Sequence, residues 1–177
     1  EKILKKKRIK KGNLIVAIPS SGLHSNGYSL VRYILKQKKI NLNKNFFLKR
    51  QLIKPTKIYV EEILNLLKRN LINGCANVTG GGLADNLKRI LPENFCAEIN
   101  LTKIKTKKIF KWIKKNGISD KEMLSTFNCG VGFCLIIEPE NFKKITKFFS
   151  NSFKPYVIGK IKSGTRKVNF YEKINWI

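Results

Sequence analysis

The sequence predicts an α+β domain in which a mixed β-sheet is flanked by helices in three layers. Three observations predict it. Apolar runs of strand length alternate irregularly with stretches of helical periodicity, so the order is neither strict βαβ nor all-β. The 177 residues are 42% hydrophobic, which suits one ordinary core without disulfides or structural metal. Finally, no internal repeat or Pro/Ser-rich linker divides the chain.

Residues 13–18 form a compact β-rich run, and after a polar loop residues 28–36 read as a helix that turns Leu30, Val31, Ile34 and Leu35 inward. A second helix is predicted over 56–70, with Pro55 at its start and Tyr59, Ile63, Leu66 and Leu67 on one stripe. Residues 75–78 are a short strand leading into three glycines. The helix that follows, marked by Leu83, Leu87, Ile90 and Leu91, stops at Pro92. The strand–loop–helix arrangement thus occurs twice, and the two loops are expected to meet at one edge of the sheet. Residues 95–99 form a strand. Thr106 then caps a helix carrying Ile109, Phe110 and Ile113, and Ser119 with Glu122 has the spacing of a capping box for a short helix reaching about Leu124. A turn at 128–130 opens the strand 132–137, and Asn141 opens a helix burying Phe142, Ile145, Phe148 and Phe149. Residues 156–161 and 167–171 are expected as a terminal pair of strands around Ser163 and Gly164.

A formal net charge of +26 first suggests a nucleic acid or an anionic membrane as partner. The kind of base argues otherwise: 31 Lys stand against 6 Arg, whereas bidentate phosphate and base recognition favours the guanidinium fork. With 23 Ile and 18 Asn, the composition follows an A/T-rich codon bias, so neither nucleic acid nor membrane is expected as a partner. The lysines of 1–11 and 103–115 are read as solvated faces. Cys75, Cys96, Cys129 and Cys134 form no C-x-x-C pair, and one histidine cannot complete a Cys/His zinc site, so no metal ligands are assigned. Cys75, Cys96 and Cys134 lie in apolar, strand-like surroundings as small hydrophobes, a pattern that suits a reducing cytoplasm. The apolar run after the first lysines is too short for a signal peptide, and no run reaches membrane-spanning length.

The chemistry concentrates in Pro19-Ser20-Ser21-Gly22-Leu23-His24-Ser25-Asn26-Gly27, which has hydroxyls, two glycines and the only histidine between a strand and a helix. Glycines that reach positive φ and donors at a helix start make an anion-binding turn, and phosphate is its natural guest. Ser20, Ser21, Gly22, Ser25 and Asn26 are the candidate phosphate contacts, and His24 is the candidate acid/base or phosphate-contacting group. The glycine-rich run Thr79, Gly80, Gly81 and Gly82 is a second candidate backbone nest.

Three ordered blocks carry a family resemblance: residues 19–32, residues 74–86 (Gly-Cys-Ala-Asn-Val-Thr-Gly-Gly-Gly-Leu-Ala-Asp-Asn) and residues 123–132 (Met-Leu-Ser-Thr-Phe-Asn-Cys-Gly-Val-Gly). Together they resemble the C-terminal domain of AIR synthetase, the phosphoribosylformylglycinamidine cyclo-ligase family of purine biosynthesis, over most of residues 12–161. The resemblance implies ATP-dependent ring closure of formylglycinamidine ribonucleotide to aminoimidazole ribonucleotide. It also implies a phosphorylated small-molecule substrate, ATP and Mg²⁺ bound mainly by an N-terminal domain, and a cytoplasmic homodimer. On this reading residues 1–11 are a basic leading segment from that N-terminal domain, residues 12–177 are the domain itself, and the chain by itself is inactive. The family usually has histidine where Asn77 stands, just before the Thr-Gly-Gly-Gly run, so Asn77 is a candidate catalytic position in altered form. It can hydrogen-bond but cannot exchange a proton at neutral pH. Asn13 stands where the family often has aspartate. Cys129 invites a nucleophile reading, but no second histidine is present to activate it, and a tight turn is expected instead. The alternatives are a sister enzyme, formylglycinamidine ribonucleotide synthase or selenophosphate synthetase, or a non-enzymatic polyanion-binding module.

Overall fold

In the computed structural model, which describes residue 4 and residues 6–176, the central strand β1 (Leu14–Pro19) is buried on both faces. Ile15 and Ala17 enter a larger core, while Val16 and Ile18 enter a smaller one on the opposite side. A β-branched run of this kind has no solvent face to alternate toward, which explains its continuous hydrophobicity. The other strands are β2 (Gly74–Asn77), β3 (Phe95–Asn100), β4 (Val131–Ile137), β5 (Tyr156–Ser163) and β6 (Val168–Tyr171). The sheet order is β2-β4-β1-β5-β3-β6, antiparallel except for the parallel β3–β6 pair.

Seven α-helices among the described residues cover the sheet: α1 (Tyr28–Gln37), α2 (Phe46–Leu52), α3 (Val60–Lys68), α4 (Gly82–Ile90), α5 (Lys108–Lys115), α6 (Asp120–Thr126) and α7 (Phe142–Ile145). Val31, Ile34, Leu48, Leu87, Phe110, Ile113 and Met123 bring α1, α2, α4, α5 and α6 onto the larger core. Ile63, Leu66 and Ile145 bring α3 and α7 onto the other. The expected α+β architecture with a mixed sheet between helical layers is therefore the one found.

Several local expectations differ. The strands β5 and β6 are not hydrogen-bonded neighbours, because β3 lies between them. β5 runs antiparallel to β3, pairing Glu98 with Lys160. The Gly164 amide then bonds to the Asn94 carbonyl at 3.1 Å, carrying the chain across to the far edge of β3. The helix α3 begins at Val60 rather than Thr56, since Ser21 ties down residues 55–57 ahead of the helix by donating to the Pro55 carbonyl (2.7 Å) and accepting from the Lys57 amide (3.1 Å). α2 had no signal in the pattern: Phe46 is 77% exposed and only Leu48 is buried, so no apolar stripe exists to read. Its start is fixed by Asn45, whose side chain accepts from the Leu48 amide. Lys107, not Thr106, stands at the start of α5, and the Thr106 hydroxyl donates to the Asn175 carbonyl. α7 is four residues long, followed by a 3₁₀ turn, and Phe142 and Phe148 remain half-buried. α6 runs two residues past Leu124. Within the leading basic segment, part of which lies outside the described residues, Ile9 is buried against Gly74 rather than solvated.

Candidate phosphate site

β1 delivers the chain into the turn at residues 20–27. The Ser20 amide donates to the Gly130 carbonyl at 2.8 Å, and the Ser21 amide donates to Nε2 of His24 at 3.1 Å. Because a backbone amide fills Nε2, the imidazole proton sits on Nδ1. His24 is buried and adopts φ 58°. Burial, and secondarily the Lys107 charge, lower its pKa to about 4, so the ring is neutral at pH 7. Positive φ in this turn belongs to His24 and Gly27, not to Gly22 as expected. At Gly27 (φ 81°) any side chain would overlap the Phe127 ring, so glycine is required there for space as well as for conformation.

Asn128 closes the turn from β4's side of the molecule. Its Nδ2 donates to the carbonyls of Gly22 (2.9 Å) and Leu23 (3.1 Å), while its Oδ1 accepts from the Gly130 amide (2.8 Å). Neighbouring Cys129 is buried at φ 49°, and its thiol is within reach of the Met123 and Phe127 carbonyls. Burial pushes that thiol well above the ordinary range, which leaves it a structural turn residue rather than a nucleophile. The Ser21 hydroxyl is committed to residues 55–57, Ser25 Oγ lies 3.5 Å from the Thr56 hydroxyl, and the buried Ser20 hydroxyl has no partner among the described residues.

The second turn is held by Asn86. Its Nδ2 donates to the carbonyls of Gly82 (2.7 Å), Gly80 (3.2 Å) and Thr79 (3.4 Å), and the Thr79 hydroxyl donates to its Oδ1. Among the described residues the Gly80 and Gly81 amides have no protein acceptor. Gly81 and Gly82 take φ 88° and 64°, and a side chain at Gly82 would overlap the Leu124 carbonyl. A Cβ on Gly81 would lie 2.6 Å from Oδ2 of Asp85, so the chain's own carboxylate folds back over this helix start. The two turns do meet: Oδ1 of Asn26 is 3.6 Å from the position of a Cβ on Gly80. Residues 124–128 contact both, which is how the third sequence block serves the site.

Asn77 ends β2 opposite Phe133 and is exposed. It borders a groove of about 310 Å³ lined by Lys57, Ile58, Tyr59, Ile63, Leu64 and Phe133. Pattern reading missed Asn86 and Asn128, which shape the turns: Asn86 reads as an ordinary polar position of α4 and Asn128 as a turn former, and neither reading shows the carbonyls that their amides clamp. It also missed Lys107, which is half-buried rather than solvated. No cluster of three His, Cys, Asp or Glu side chains occurs among the described residues, so an Mg²⁺ ion finds no such donor set there. No helix among them is long and apolar enough to cross a membrane.

Two strand–turn–helix units whose turns meet at one edge of a mixed sheet between helical layers define the class of this α+β domain. The match to known proteins is more particular. Residues 10–171 match the family described as AIR synthase related protein, C-terminal domain, and the chain belongs to that family. It is 38% identical over 170 residues to the chloroplastic/mitochondrial phosphoribosylformylglycinamidine cyclo-ligase of Vigna unguiculata, covering 93% of this chain and 44% of the relative. The Clostridium perfringens cyclo-ligase is 41% identical over 169 residues, covering 93% and 50%. The chain thus spans about half the length of the curated relatives it matches. Among solved structures, thiamine-monophosphate kinase from Stenotrophomonas maltophilia superposes with a TM-score of 0.62 at 16% identity, over 94% of this chain and 52% of that one. Thermotoga maritima PurL complexed with FGAR gives 0.54 at 13% identity, over 91% and 26%, and PurL has also been solved with AMPPCP. At these identities the likeness is one of fold.

Proposed function

We propose that this chain is the substrate-phosphate half of a phosphoribosylformylglycinamidine cyclo-ligase, working with an N-terminal domain that brings ATP and Mg²⁺ in a cytoplasmic homodimer. The observation that carries the reading is the meeting of the two turns at Asn26 and Gly80. In the proposed reaction ATP phosphorylates the amide oxygen of formylglycinamidine ribonucleotide, and an internal nitrogen closes the imidazole ring. ADP and phosphate leave. This chain's own part is to bind and orient. The 20–27 turn seats the ribose 5′-phosphate, and the free Gly80 and Gly81 amides border it. His24 acts as a positioning residue: its ring is neutral at pH 7, its Nε2 holds the Ser21 amide, and its Nδ1–H remains a donor. Asn77 offers an amide where a proton carrier would need an imidazole.

Reconstitution tests the reading. The chain should show no ring closure alone and should turn over substrate when joined to the N-terminal half of a cyclo-ligase such as that of Clostridium perfringens. Turnover by the chain alone, or none in the joined enzyme, overturns it. In the joined enzyme His24→Ala should be far more damaging than Asn77→His is helpful, read as steady-state rates across neutral pH. A rate gain in Asn77→His with a new pKa near neutrality would assign proton transfer to that position.

A further inference from the structure

We infer that Lys54 and Lys107 complete the 20–27 turn as a two-lysine seat for a phosphate dianion, an inference that rests on the proposed reading of that turn. The backbone brings both lysines there. Gly130, whose carbonyl takes the Ser20 amide, packs directly on residues 105–106: a Cβ on it would overlap the Lys105 carbonyl and lie 3.2 Å from Cα of Thr106. Residue 107 is therefore delivered beside the turn by main-chain contact. From the other side, Cδ of Lys54 lies 3.9 Å from the position of a Cβ on Gly22. Lys54 also lines a groove of about 610 Å³ together with Lys108, the neighbour of Lys107, which brings the start of α5 close to Lys54.

Among the described residues neither lysine has a carboxylate partner. The four ion pairs among the described residues engage Lys57, Lys114, Lys162 and Arg166. The electrostatic consequence reaches each group in turn. Burial and then the Lys54 charge hold Lys107 below the usual lysine range, and Lys107 in turn depresses His24. Like charges gathered at a turn already rich in amide donors are unfavourable when nothing lies between them. A dianion relieves the repulsion and is held by ammonium point charges without bidentate geometry. At the second turn Asp85 supplies its own negative charge, so an anion is directed to the first.

The test uses this chain and follows its backbone amides by NMR during titration with ribose 5-phosphate at constant ionic strength. A saturable shift of residues 20–27 and 107 is expected. Lys54→Met and Lys107→Met should each weaken it about fivefold, the double variant should remove it, and Lys115→Met at the far end of α5 should leave it unchanged. Undiminished binding at the turn in the double variant overturns the two-lysine seat and leaves the phosphate turn standing. Shifts at Lys54 and Lys107 that spare residues 20–27 overturn the phosphate turn, and no shift anywhere overturns both. A parallel titration with AMPPCP identifies the source of the phosphate: tighter binding of either ligand supports the seat and names what fills it.

Discussion

The turns at 20–27 and 79–82 stand side by side, yet they are held by different kinds of bond. The glycine turn is clamped by Asn86, four to seven residues away, and needs little beyond its own helix start. The serine-histidine turn is clamped by Asn128, more than a hundred residues away, by Gly130, and through Ser21 by residues 55–57. One shape is local and the other is a property of the finished fold. A site built from both is therefore most vulnerable at the positions remote from it in sequence.

Asn128→Ala should break the remote turn with the largest effect. It strands two buried carbonyls and a buried amide, for a loss of about 3 kcal/mol and a fall in Tm of roughly 6–12 °C in a domain of this size. Thermal unfolding measures the loss, and amide shifts should spread over 20–27 more than over 79–82. Equal perturbation of the two turns would erase the distinction. Next in size is a pH effect. Since His24 titrates at about 4 in the fold against 6.5 as its ordinary value, the unfolded chain binds the extra proton. The stability from the neutral ring is complete above 6.5 and lost as pH falls from there toward 4, by about 3 kcal/mol at most. Urea unfolding from pH 7 to 4 should show this slope, and His24→Asn should flatten it. Asn86→Ala should cost about 2 kcal/mol, with shifts confined to residues 79–87. Smallest is Ser21→Ala, at about 1 kcal/mol, which should release residues 55–57 to faster hydrogen exchange while Tm moves by only a few degrees.

The same contrast explains what was legible in the sequence. The buried runs of β1 and β4 and the stripes of α1, α3 and α4 follow from apolar period alone. So does the position of both turns, because serine and glycine punctuate those periods. α2 was invisible because Phe46 and Phe47 face outward, and the start of α3 was misplaced because a tertiary bond from Ser21 overrode the helix signal after Pro55. β6 could not be paired from sequence, since hydrophobicity fixes which face is buried but not which edge is taken. At the site, the donor-rich turn was readable. The neutral state of His24 and the convergence of Lys54 and Lys107 depend on burial and on contacts with Gly130 and Gly22, which no local pattern encodes.

The sheet order also governs how the chain can be made. β1 is complete at Pro19, but its two neighbours, β4 and β5, end at Ile137 and Ser163. At a ribosomal pace of 5–20 residues per second, the central strand waits roughly 6–24 s with both edges unpaired before β4 emerges. During that interval the Leu14–Pro19 segment is an open, uncharged β-edge of the kind that pairs indiscriminately. Nascent chains of this protein should therefore be clients of ribosome-associated chaperones until about residue 163, which crosslinking of stalled nascent chains of increasing length would show.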